Sequence, residues 1–386
     1  MTQNLPARRG LVLAGGGAKG SYQVGVWRAL MELDWRPQII TGTSVGSLNG
    51  AMFALDLYET ARDMWLSIRS QDVMELPGEE AGLSELHQFL HEVVRDGGMD
   101  VTPLEEIVDR VLDEPGLVTV EKKGLKPREL TLDEIPEGKL KDYLLASAAC
   151  FPALRARSID GIQYLDGGYS DNMPTALAAR MGAEELVCVD LEGVGITRPN
   201  RTGLPTILVR SHWDLGDILR FDPEVAQRNM ALGYFDTLRA FGRIRGCAYA
   251  VDDEGQSAAD ASRFAARFAA IQRAVLAEYP VTWTAGAALR LSKLRDQALA
   301  PLEAAAEDME VDPTRYYTVK TLSAAFLDRC DYGRIRVFFP LLDGQGSAAL
   351  AARAAVAPST FLQAMVYRAL TLPPPAPPKI TEVTKA

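Results

Sequence analysis

The sequence predicts an α/β fold in which a central, mostly parallel sheet is covered by helices on both faces, followed by a mainly helical extension. Three observations carry this. Short apolar runs end in glycine-rich turns that open amphipathic helices, first at Leu11-Val12-Leu13 and again at Ile39-Ile40. The strand–helix alternation continues to about residue 215. After Asp222 the apolar residues recur at helical spacing instead.

The elements follow in order. Leu11 to Leu13 reads as a central strand, and Ala18 to Leu33 as a helix with Val24, Trp27, Leu30 and Met31 on one stripe. Gln38 to Thr41 is the second strand, and Ser47 to Leu57 the helix after it. From Asp63 to Leu112 the pattern is helical, with a break at Gly97-Gly98 and a new start at Thr102-Pro103, a cap with proline at the first helical position. Leu117 to Val120 and Glu129 to Leu132 read as strands. Leu140 to Ala149 is a small-residue helix that Pro152 ends, and Ile162 to Leu165 is a strand delivering Asp166-Gly167-Gly168. Pro174 to Met181 is a helix, while Leu186 to Val189 and Thr206 to Val209 are strands.

In the extension, Phe264, Phe268, Ile271 and Val275 share one helix face, and Ala287, Leu291, Leu294 and Ala298 repeat the pattern up to Pro301. The apolar stretch Ile335 to Leu342 is expected to be a strand. The division expected is an α/β domain over 8–215, a helical extension over 222–372 and a proline-rich tail over 373–386. The extension is expected to pack on the α/β core and cover part of the substrate site.

At 386 residues the chain is long enough for a large core. Its formal charge of -10 and pI near 5.0 argue against nucleic acid as a partner and against broad adhesion to anionic membranes. The four cysteines Cys150, Cys188, Cys247 and Cys330 are widely spaced with no C-x-x-C pair, which reads as reduced thiols in a cytoplasmic protein. Met1 to Gly10 has no apolar segment of the signal-peptide kind, and no run approaches the roughly 18 apolar residues of a membrane span.

Two motifs carry the chemistry. Gly42-Thr43-Ser44-Val45-Gly46 has the G-x-S-x-G spacing of a nucleophile elbow, a sharp strand-to-helix turn that lifts a serine hydroxyl clear of its backbone. Threonine and serine before a helix can also be simple caps. Gly15-Gly16-Gly17-Ala18-Lys19-Gly20 puts backbone N–H groups at a helix start, where negative charge is stabilised. Nucleotide readings of this loop fail on spacing. No acid ends the second strand as a dinucleotide fingerprint needs, and Lys19-Gly20-Ser21 is not the G-K-[S/T] of a phosphate loop. An exposed serine beside an anion nest points to acyl transfer through an oxyanion.

The base is open between two candidates. Asp166 ends a strand and is followed by two glycines that permit close approach, though Asp-Gly is also an ordinary turn. His212 follows a later strand, and the order Ser44, Asp166, His212 matches an α/β-hydrolase triad. His87 and His91, four apart on an expected helix, lack a third metal ligand and read as a solvated face.

The ordered set of the glycine loop, the Ser44 elbow and Asp166-Gly167-Gly168 resembles the patatin-like phospholipase family. Ala146-Ser147-Ala148-Ala149-Cys150-Phe151-Pro152 and Asp171-Asn172-Met173-Pro174 strengthen the likeness, which covers about residues 8 to 210. It implies a three-layer fold and a serine lipid acyl hydrolase of the phospholipase A, lysophospholipase or esterase type, with no metal or organic cofactor. Ser44 matches the family nucleophile and Asp166 its base. Gly15, Gly16, Gly17 and the Val45 amide match the oxyanion hole, and Lys19 fills a position where the family often has a basic residue. Gly20, Gly42, Gly46, Gly167 and Gly168 support these motifs. The partner implied is a lipid ester, met at a membrane surface. A Ser44–Asp166–His212 triad esterase and a non-catalytic lipid-binding scaffold are the rival readings.

Overall fold

The computed structural model describes residues 7–73, 117–150, 154–280, 291–292, 294 and 296–372. The chain divides into two compact units between Arg243 and Ile244. The helical pattern expected beyond Val73, with its Gly97-Gly98 break and Thr102-Pro103 start, lies outside the described residues. So do His87, His91, Pro152, Ala287 and the proline-rich tail.

In the first unit, β1 (Arg9–Leu13) leads through a 3-10 turn (Gly17–Gly20) into α1 (Ser21–Glu32). β2 (Ile39–Gly42) leads into α2 (Val45–Ala54), and α3 (Tyr58–Ser67) follows. β3 (Leu117–Glu121) and β4 (Lys126–Leu130) pair antiparallel, then come α4 (Leu140–Ser147), β5 (Arg157–Ile159) and β6 (Ile162–Asp166). The unit continues with α5 (Thr175–Arg180), β7 (Glu185–Asp190), β8 (Thr206–Arg210) and α6 (Pro223–Ala240).

The central sheet is parallel, ordered β2-β1-β7-β8. Successive side chains of a strand point to opposite faces, so a strand covered on both is apolar throughout. β1 and β7 behave this way. Leu11, Leu13, Val187 and Val189 pack with Val26, Trp27 and Leu30 of α1 and Leu232 of α6. Val12, Ala14, Leu186 and Cys188 pack with Met173 and with Ala178 of α5. The result is three layers, as the sequence predicts. A second, antiparallel sheet ordered β4-β3-β6-β5 carries Asp166 at the end of β6. β4 lies earlier than expected because Thr131 and Glu134 close a capping box that draws Leu132 into a 3-10 turn.

α6 corrects the expected boundary at Asp222. It packs lengthwise on α1 inside the first unit. Two glycines make this possible: a Cβ on Gly25 would overlap the Met230 carbonyl, and one on Gly233 would overlap the Tyr22 carbonyl. The helices therefore touch backbone to backbone. Across the same contact the Tyr22 hydroxyl donates to Asp236 at 2.7 Å, and Asp236 pairs with Arg239.

The second unit contains β9 (Ala250–Val251), α7 (Gly255–Glu278), α8 (Ala300–Asp308), β10 (Tyr316–Tyr317) and α9 (Val319–Arg329). It ends with α10 (Tyr332–Ile335), α11 (Phe339–Leu342), α12 (Ala348–Val356) and α13 (Pro358–Thr371). On α7 the predicted stripe buries Phe264, Phe268 and Val275. Pro301 begins α8 and does not end a helix, since a first-turn proline leaves no hydrogen bond unmade. The strand expected over Ile335 to Leu342 is helical. Its buried residues Ile335, Phe338 and Leu341 recur every third position, which a strand could not direct to one side. Among the described residues, no single helix is long and apolar enough to cross a membrane.

Candidate active site

Ser44 caps α2 with φ 53° and ψ -128°, a backbone conformation that L residues rarely adopt. Such strain persists only where the surroundings over-determine it. Here they do. A Cβ on Gly42 would overlap the Gly46 carbonyl, and one on Gly46 would overlap that of Leu13, so both flanking glycines are sterically required. The Ser44 N–H donates to the Ser147 hydroxyl at 3.0 Å, and the Thr43 hydroxyl donates to the Asp171 carbonyl at 2.8 Å. The elbow is fastened on both sides of its bend.

Asp166 reaches the elbow from the end of β6. Its N–H donates to the Ala149 carbonyl at 2.9 Å, its carboxylate accepts from the Gly168 N–H at 2.7 Å, and it shares a cavity wall with Ser44. The turn Gly167–Tyr169 that follows lets the Gly168 amide fold back on the carboxylate. Residues 147 to 149 thus brace both members of the pair: Ser147 holds Ser44, and Ala149 holds Asp166. Asp166 is only 5% exposed. Burial pushes its carboxyl up to about 6, and the hydrogen bond from Gly168 with the polar Ser44 hydroxyl nearby restrains the rise. It is still ionised at neutral pH, and a stronger base than an exposed aspartate.

The glycine loop lies against the elbow. Gly17, at φ 53°, is seated so closely on the Ile218 carbonyl that a Cβ would overlap it, and the Ala18 N–H donates to that same carbonyl at 2.8 Å. Gly20 needs its lack of a side chain for another reason, since a Cβ would sit 2.5 Å from Val45 and 2.8 Å from Trp65. The N–H groups of Gly16, Gly17 and Val45 find no acceptor among the described residues. Gly15 corrects the expectation that it belongs with them, because its N–H is already given to the Asn172 carbonyl at 3.2 Å. The Asn172 side chain returns a bond to the Gly15 carbonyl at 3.2 Å, so Gly15 ties the loop to the Asp171-Asn172 segment. The Lys19 ammonium donates to the Glu192 carbonyl at 3.4 Å.

Ser44, Asp166, Gly16 and Gly17 open onto a cavity of about 100 Å³ whose other walls are mostly apolar, including Leu48, Met52, Trp65, Ile68 and Phe221. Cys150 lines it too, and burial with the nearby Asp166 charge pushes its thiol up to about 11. His212 does not line it. Its ring packs edge-on against Trp213. The sequence-predicted Ser44, Asp166, Gly16, Gly17 and Val45 are therefore brought together, whereas His212 is not. Ser147 and Asn172 are legible in the sequence only as members of family-like segments, with nothing to show that one clamps Ser44 and the other the glycine loop.

A parallel α/β sheet with a strained serine at a strand-to-helix elbow and unpaired amides beside it defines a nucleophile-elbow protein. Residues 11–179 match the family model for patatin-like phospholipase. Lysophospholipase NTE1 of Phaeosphaeria nodorum is 26% identical over 258 residues, covering 62% of this chain and 16% of that protein. Patatin-like phospholipase domain-containing protein 7 of Rattus norvegicus is 30% identical over 189 residues, covering 47% of this chain and 13% of its own. The match thus spans only 13% to 16% of the length of these relatives. VipD from Legionella pneumophila aligns over 95% of this chain and 94% of its own with a TM-score of 0.36 and 14% identity.

Proposed function

We propose that this protein is a serine-dependent lipid acyl hydrolase that works through a Ser44–Asp166 dyad. The observation that carries the reading is Ser44 on one cavity wall with the buried Asp166 carboxylate, and Gly16, Gly17 and Val45 beside them. Asp166 takes the hydroxyl proton as Ser44 Oγ attacks the ester carbonyl. The three amides receive the oxyanion, a contribution of several kcal/mol when donors are fixed in advance. Asp166 then returns the proton to the departing alcohol. Water, activated by the same carboxylate, hydrolyses the acyl-enzyme and restores Ser44. No step calls for a metal or organic cofactor.

The family match and the lysophospholipase among the relatives support a lipid ester as substrate. The apolar cavity supports the same class, since an acyl chain is what such a wall would receive. We place the protein in the cytoplasm on the strength of four widely spaced cysteines with no C-x-x-C pair, and the lipid substrate class has it meeting its substrate at a membrane surface. The test is Ser44→Ala, read by ester hydrolysis and by fluorophosphonate labelling with mapping of the adduct. Both are expected to vanish with the fold intact. Labelling that persists at a different serine would refute the assignment.

A further inference from the structure

Val45, Leu48, Asn49 and Met52 all line the cavity, and their spacing places them on one face of α2. Ser44 caps that same helix. The lining face is therefore a scale that starts at the nucleophile. At 1.5 Å per residue, Leu48 lies about 6 Å and Met52 about 12 Å along the axis from Ser44. Helical side chains lean toward the N-terminus, so the Met52 side chain reaches back to about 10 Å.

On the facing wall Trp65 is held in place by hydrogen bonding and stacking. Trp65 donates its indole N–H to Asn49 at 3.1 Å and stacks on Phe221 with ring centres 5.9 Å apart. Asn49 in turn donates to the Gly20 carbonyl at 2.9 Å and to Gln23 at 2.8 Å, and Gln23 donates to the Ala14 carbonyl at 2.8 Å. Asn49 and Trp65 are almost fully buried. Breaking this chain of bonds would leave buried polar groups unpaired, which is costly.

We propose that α2 is the acyl-length gauge of this enzyme, with Met52 closing the acyl channel and Leu48 narrowing it midway. The gauge rests on the hydrolase reading above. It selects acyl chains up to about octanoyl and excludes palmitoyl, which overruns Met52.

The test compares kcat/KM for p-nitrophenyl butyrate, octanoate and palmitate in the unaltered protein, in Met52→Ala and in Leu48→Phe. The unaltered protein is expected to favour octanoate over palmitate by about tenfold or more, the lower end of what a single misfitting methylene costs in an apolar pocket. Met52→Ala should raise the palmitate-to-octanoate ratio about tenfold, and Leu48→Phe should raise the butyrate-to-octanoate ratio by a similar factor. The two changes act in opposite directions, so a variant that fails to fold leaves the other to decide. A preference for palmitate in the unaltered protein, or ratios unmoved in the folded variants, overturns the gauge while hydrolysis itself stands. Absence of both hydrolysis and fluorophosphonate labelling in the unaltered protein overturns the hydrolase reading and the gauge with it.

Discussion

Replacing Asp166 with asparagine should destroy activity and strengthen the fold. The carboxyl titrates at about 6 in the folded protein and at about 3.9 in an unfolded chain. Two units at 1.36 kcal/mol each amount to about 3 kcal/mol. Because the folded value is the higher one, the fold holds the proton more tightly than the unfolded chain does. That advantage is complete below about pH 4 and is lost as pH rises through about 6. At neutral pH and above, the ionised carboxylate therefore costs the native state up to about 3 kcal/mol relative to a neutral group. Asparagine is neutral throughout and keeps an oxygen for the Gly168 amide. Urea unfolding should find Asp166→Asn more stable than the unaltered protein near pH 8, with the gap closing toward pH 4. Its kcat should fall on the order of 10³ through loss of the base. The kcat/KM of the unaltered protein should decline as acid protonates Asp166, with an inflection near 6. His212→Ala should stay within about tenfold of the unaltered protein, since a positioned base is worth far more than that. An Asp166→Asn variant no more stable near pH 8 would refute the buried-charge reasoning. A collapse of activity in folded His212→Ala would restore the triad.

Gly17→Ala places a Cβ on the Ile218 carbonyl at a residue whose φ is 53°, so the loop must shift. We expect kcat to drop by about 10² to 10³, equivalent to roughly 2.7–4 kcal/mol of oxyanion stabilisation, with KM little changed. If KM rises and kcat holds, the loop binds substrate and does not serve the transition state. A chain ending at Arg243 should give soluble, cooperatively unfolding protein, whereas one ending at Arg220 lacks α6 and should aggregate. Equal solubility of the two would contradict the backbone contact between α1 and α6.

The parts of the fold and site legible in the sequence are those fixed by local geometry. The Ser44 elbow and the glycine loop announce themselves because a sharp turn leaves room for glycine alone at Gly42, Gly46 and Gly17. The buried strands β1 and β7 are legible because both of their faces are covered. Other features depend on partners far along the chain. Nothing around Gly15 says that its amide is spoken for by Asn172, and nothing around Ser147 says that its hydroxyl will face Ser44. Asp166 as the base rests on the resemblance, since its own neighbourhood fits a turn equally well. Ile335 to Leu342 misleads because a short apolar run does not distinguish a strand from a buried helix. α6 falls on the other side of the expected boundary because the change to helical spacing after Asp222 shows where helices begin and not which element each one packs against.

That glycine pair limits how the protein can be recombined. Gly25 lies within the stretch that matches the family, and Gly233 lies well beyond its end at residue 179. At the two glycines, where backbone meets backbone, the seam offers nothing to trim or enlarge in small steps, and any donor of one helix must supply the other. A chimaera that exchanged only residues 11–179 with a relative would set a foreign α1 against the resident α6. The mismatch would travel along α1 to its first residue, Ser21, which directly follows the glycine turn. The natural unit of exchange is therefore the whole stretch from β1 to the end of α6, and graft points belong after Ala240.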